Sequence, residues 1–114
     1  MTIRRATPDI RTTDIERSRE FYKLLGFEEA MDLGWVVTMV SPSNPTAQVL
    51  LVGPGAEKLQ PDMSVEVEDV DAVHAAMTAE GADIVYPLTD EQWGVRRFFV
   101  RDPSGTIVNV VSHR

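Results

Sequence analysis

Asp14-Ile15-Glu16-Arg17-Ser18-Arg19-Glu20-Phe21-Tyr22-Lys23-Leu24-Leu25-Gly26 has a counterpart 55 residues later, Asp69-Val70-Asp71-Ala72-Val73-His74-Ala75-Ala76-Met77-Thr78-Ala79-Glu80-Gly81. Each stretch opens on an aspartate whose carboxylate can accept from the exposed N–H groups of a first helical turn. Each ends twelve residues on at a glycine able to take the left-handed conformation that stops a helix. In the first copy Ile15, Phe21, Tyr22, Leu24 and Leu25 recur at helical spacing as an apolar stripe expected to face a core, with Arg17, Glu20 and Lys23 on the other side. In the second, Val70, Val73, Ala76 and Met77 form the stripe, and His74 falls on the solvated side.

Strand-like runs flank both helices. Ile3 to Thr13, interrupted by Pro8, precedes the first helix. Residues 27–31, 35–41 and 47–53 follow it as a meander split by Leu33-Gly34 and Pro42-Ser43-Asn44-Pro45. The alternating Met63-Ser64-Val65-Glu66-Val67 precedes the second helix. After that helix, residues 84–86 read as a short strand, 87–93 as a polar loop, 95–101 as a strand, Asp102-Pro103-Ser104-Gly105 as a turn and 107–112 as a closing strand. The fold class is therefore α+β, two βαβββ modules in tandem. Module 1 covers about residues 1–53, a linker without apolar periodicity covers 54–61, and module 2 covers 62–114. One helix covers only one face of a four-stranded sheet, so the other face needs the second module or a second chain. Modules of about 50 residues are marginal alone, which points to a homodimer.

Composition narrows the function classes. A net charge of −7 argues against a nucleic-acid partner, and no apolar run is long enough for a membrane span. With no cysteine and no charged-then-apolar leader, a cytoplasmic location is expected. The acidity suits a cationic ligand if part of it lines a pocket. There is no glycine-rich phosphate loop, no nucleophile elbow and no Ser–His–Asp set.

Asp14-Ile15-Glu16-Arg17-Ser18, Phe21-Tyr22 and Leu25-Gly26-Phe27 resemble the first-helix signature of the vicinal oxygen chelate superfamily, which includes glyoxalase I, extradiol dioxygenases, and fosfomycin- and bleomycin-resistance proteins. Trp93-Gly94, Arg97-Phe98 and Asp102-Pro103-Ser104-Gly105 resemble the closing hairpin of its bleomycin-resistance branch. The resemblance implies cupped mixed sheets around a central cleft with the helices outside. It also implies a divalent metal held by His, Gln or Glu on the first and last strands of each module. The matching positions here are Thr7, Asp62 and Asn109, with Gln48 or Leu50 as the fourth. Neutral oxygens and a single carboxylate, without imidazole, are poor ligands for a borderline divalent ion, so no metal or other cofactor is expected.

If those positions face the cup, strand alternation brings Arg11, Ser64 and Glu66 to the same face. The closing hairpin then adds Phe98 and Val100, or Arg97 and Phe99 in a slipped register. Trp93, in a polar loop, is a candidate for stacking on a ligand. Trp35 is divided between cup and interface, and His113 shares the parity of Asn109. Arg96 and Arg97 are expected to pair with carboxylates. Asp62 and Glu66 lie about 13 Å apart on one strand, too far to share a proton. The candidate ligand-binding set is therefore Thr7, Arg11, Trp35, Asp62, Ser64, Glu66, Trp93, Phe98, Val100 and Asn109. The resemblance and this set imply a homodimeric protein that sequesters an aromatic or cationic small molecule, an antibiotic among the possibilities, without a metal. The alternatives are a lyase, isomerase or dioxygenase acting through a cup carboxylate or a weak metal site, and a module with a vestigial cleft.

Overall fold

The computed structural model describes residues 2–55 and 59–113. Residues 56–58 of the expected linker lie outside them. The element order is β1 (Ile3–Arg11), α1 (Ile15–Leu25), β2 (Glu28–Asp32), β3 (Val36–Val40), β4 (Gln48–Val52), β5 (Met63–Val67), α2 (Val70–Ala79), β6 (Asp83–Asp90), β7 (Val95–Arg101) and β8 (Ile107–His113). This is the βαβββ pattern twice, in an α+β fold.

The repeat holds at the level of single hydrogen bonds. The Asp14 carboxylate accepts from the Arg17 N–H at 3.1 Å, and 55 residues on the Asp69 carboxylate accepts from the Ala72 N–H at 3.1 Å. Gly26 at φ 125° and Gly81 at φ 76° supply the positive dihedral after each helix. In both modules the first strand pairs parallel with the last, β1 with β4 and β5 with β8, and the remaining pairs are antiparallel. The two orders are β2-β3-β4-β1 and β5-β8-β7-β6.

The chain separates into two compact units, Thr7–Gln60 and Met1–Ala6 with Pro61–Arg114, so the start of β1 belongs with the second module. There the Glu68 N–H donates to the Thr2 carbonyl at 3.0 Å. In the amino-terminal unit Val37, Met39, Val49 and Leu51 form the core, covered by Ile10, Ile15, Tyr22 and Phe27. In the carboxy-terminal unit Val67, Val70, Phe98, Val100 and Val110 form the core, with Val65, Val73 and Met77 packed on it.

Three expectations need correction. Of the α1 stripe only Ile15 and Tyr22 reach the core, while Phe21, Leu24 and Leu25 are 61%, 89% and 65% exposed. At about 100° per residue Tyr22 lies within about 20° of Ile15, whereas Leu24 is half a turn away. The expected loop 87–93 is strand as far as Asp90. Pro87 is accommodated because β6 ends its sheet order and its pairing with β7 shifts register between Tyr86 and Thr89. His74 is half-buried, its ring edge-on to Phe98 at 4.9 Å. The α2 stripe of small residues lets Phe98 reach up beside it.

Candidate functional site

Alternation along β5, β7 and β8 divides the carboxy-terminal sheet into two faces. Val65, Val67, Phe98, Val100, Val108 and Val110 meet α2. Ser112 shares that side, its hydroxyl donating to the Val67 carbonyl at 2.8 Å and accepting from the Val70 N–H at 3.1 Å. Phe98 and Val100 therefore lie on the helix side and not on the side of Asn109, which corrects their expected orientation. The register pairs Phe99 with Asn109 and Arg97 with Val111, so the slipped alternative is the one adopted. Both phenylalanines are buried, at 0% and 1% exposed, so burial alone does not choose between the registers; Phe98 packs with Val67, Val70 and Val110 under α2, while Phe99 is enclosed on the other face.

The opposite face carries Asp62, Ser64, Glu66, Arg97, Phe99 and Asn109. The backbone of Asp62 donates to the Ile107 carbonyl at 2.7 Å and its carboxylate accepts the Ile107 N–H at 2.9 Å, so this side chain ties β5 to β8. The Asn109 amide donates to the Ser64 hydroxyl at 3.0 Å, and its Oδ1 is buried without a hydrogen-bond partner among the described residues. Glu66 is buried, with Arg5 Nε at 3.4 Å and His113 Nδ1 at 3.0 Å.

Arg97 is the centre of a second cluster. Its guanidinium reaches Glu91 at 2.6 and 2.8 Å, and Glu91 also accepts from the Tyr86 hydroxyl at 3.1 Å. The rings of Phe99, Trp93 and Tyr86 stand 4.8, 5.1 and 5.3 Å from the guanidinium carbon. A buried guanidinium is tolerated because carboxylate and ring faces together replace its water. Trp93 keeps an exposed surface of 38%. Arg96, one residue earlier, points to the helix side, where hydrogen bonds with Asp71 and then Asp90 hold its pKa above the ordinary guanidinium value.

Sequence reading foresaw that Arg97 would find a carboxylate but not that Glu91 would supply it. Glu91 and Tyr86 join Arg97 through the irregular β6–β7 pairing, which no local pattern encodes. In the amino-terminal unit Thr7 is buried on β1, Arg11 is exposed at the end of that strand, and Trp35 is half-buried just before β3 with its carbonyl accepting from the Gly53 N–H at 2.8 Å. The Gln48 amide donates to the Pro45 carbonyl at 2.9 Å, and Leu50 pairs with Asp9.

The donor set does not suit a borderline divalent ion. Asp62 is bound to the backbone, Thr7 and Asn109 offer neutral oxygens, and among the described residues no three His, Asp or Glu side chains are grouped to hold one.

No curated protein sequence matches this chain. Among solved structures, a Legionella pneumophila protein described as an NAD-dependent benzaldehyde dehydrogenase superposes with a TM-score of 0.76 at 19% identity, covering 96% of this chain and 99% of that one. A glyoxalase/bleomycin resistance protein/dioxygenase superfamily member from Vibrio splendidus gives 0.72 at 21% identity, covering 97% and 99%. Methylmalonyl-CoA epimerase from Mycobacterium tuberculosis gives 0.75 at 19% identity, covering 95% and 86%. Identities this low speak to the fold alone. A family model matches residues 3–110, and with it the tandem βαβββ architecture places this chain in the Glyoxalase/Bleomycin resistance protein/Dioxygenase superfamily.

Proposed function

We propose that this chain is a small-molecule binding protein that takes an aromatic ligand against Trp93, on the face of the carboxy-terminal sheet opposite α2. The observation that carries the reading is the indole itself: 38% exposed, yet held in place by an Arg97 that Glu91 pins at 2.6 Å. A fixed and partly bare aromatic surface loses little freedom when a planar group stacks on it. Arg97 already sits among the three rings, which favours an aromatic over a cationic ligand there. A planar antibiotic meets that description, and sequestration in the cytoplasm is the role it implies.

The reading includes a metal-free site, supported by the donor chemistry of Thr7, Asp62 and Asn109. It also includes a homodimer, supported by the exposed Phe21, Leu24 and Leu25 of α1. Trp35→Phe leaves Trp93 as the sole indole. Saturable quenching of its fluorescence by a member of a panel of planar natural products is expected, with loss of that ligand's binding in Trp93→Ala measured by titration calorimetry. A panel that leaves the emission unchanged would sink the reading. Elemental analysis showing an equimolar divalent ion would remove its metal-free part.

A further inference from the structure

We propose that a second site lies on the carboxy-terminal unit: the pocket of about 430 Å³ lined by Arg4, Arg5, Glu66, Val67, Glu68 and His113 binds an oxyanion, the carboxylate or phosphate of a small molecule. This site does not rest on the Trp93 reading.

The argument starts from Glu66. Its side chain is 8% exposed, and a carboxylate is left that dry only when its oxygens are satisfied. One oxygen faces Arg5 Nε at 3.4 Å and the other faces His113 Nδ1 at 3.0 Å. Both contacts use the inner nitrogen of their side chain. That leaves the Nη groups of Arg5 and Nε2 of His113 as further polar groups of two residues that both line the pocket. The side chains of Arg5 and His113 are 39% and 70% exposed, so both keep surface that a ligand can reach.

Glu66 is therefore a positioning residue, a buried anchor that holds Arg5 and His113 at one pocket. When the ring carries both N–H groups, Nδ1 donates to Glu66 and Nε2 can donate to an anion. Arg4 adds a second guanidinium to the wall, and Glu68 is the one lining carboxylate with no part in the anchor. Arginine pairs and imidazolium match the planar or tetrahedral oxygens of carboxylate and phosphate. The chain's net charge of −7 opposes anions at long range, so binding here depends on these short contacts.

The test is an NMR titration of the His113 imidazole resonances in the intact protein, with inorganic phosphate and acetate in separate arms and chloride at equal ionic strength as the reference. Saturable shifts in at least one arm beyond the chloride reference are expected, and which arm saturates identifies the oxyanion. Arg5→Gln is expected to weaken binding about tenfold or more, and Arg4→Gln several-fold. Arg4→Gln keeps both Glu66 contacts, so it decides the matter if Arg5→Gln does not fold. Shifts no larger than those with chloride in both arms, or an affinity unchanged in every variant that folds, would overturn the proposal.

Discussion

Helices α1 and α2 begin with the same capping aspartate and end at the same kind of glycine, yet they spend their side chains differently. Helix α2 is built from Val70, Ala72, Val73, Ala75, Ala76 and Met77, and it buries Val70 while letting Phe98 of β7 rise beside it. Helix α1 carries the larger residues and buries none of them fully. Leu24 and Leu25 turn outward while Ser18 and Arg19 lie half-buried on the inner side, with Arg19 held by Glu16, Glu29 and Asp32. In one unit the helix contributes small residues to a core dominated by a strand phenylalanine. In the other the strands supply Met39 and Leu51, and the helix saves its apolar bulk for its outer surface. A shared local design does not dictate a shared division of the core.

Substitutions in the two units sharpen this contrast. Phe98→Ala should be the most damaging, losing about 3–5 kcal/mol in urea unfolding because the ring is wholly enclosed and its cavity cannot collapse onto small α2 residues. A loss near 1 kcal/mol would show that α2 resettles and that the core is not ring-centred. Glu91→Ala comes next, at about 3 kcal/mol, since it strips the carboxylate from a buried Arg97. The same variant should loosen Trp93, read as increased accessibility of its fluorescence to a neutral quencher.

The two caps offer an internal control. Asp14→Ala and Asp69→Ala remove equivalent hydrogen bonds and should each cost about 1 kcal/mol. Unequal costs would mean that the helices differ in how firmly their first turns are held by packing. Leu24→Glu should matter least to folding, within about 0.5 kcal/mol for the monomer, because the side chain is 89% exposed. Under the proposed homodimer, light scattering should register a shift toward monomer with this variant, and an unchanged mass would remove α1's outer face from that proposal. A folding cost as large as that of Phe98→Ala would make α1's outer face part of a core after all.

Part of the geometry of the candidate residues is legible in the sequence. Ser64, Glu66 and Asn109 were brought to one face by strand alternation, and the structure joins them there through the Ser64–Asn109 hydrogen bond and the parallel β5–β8 pairing. The Phe98–Phe99 pair was not resolvable in the same way. Two adjacent phenylalanines satisfy alternation in either register, and only the packing of Phe98 against Val67, Val70 and Val110 decides between them. The role of Glu91 is not encoded locally, because its partners Tyr86 and Arg97 meet it across a bulged hairpin.

From the residue order alone came the duplicated βαβββ plan, both capping aspartates, the helix-ending glycines and the Asp102–Gly105 turn. All of these are local: each depends on a preference for a dihedral angle, a nearby hydrogen bond or a short periodicity. Three-dimensional contacts decided which part of the α1 stripe is enclosed, which phenylalanine packs beneath α2, and how Glu66 comes to stand between Arg5 and His113. Those outcomes compare burial and charge pairing among groups far apart in the chain, with Arg5 and Glu66 paired across 61 positions, and no local preference can weigh such groups against each other.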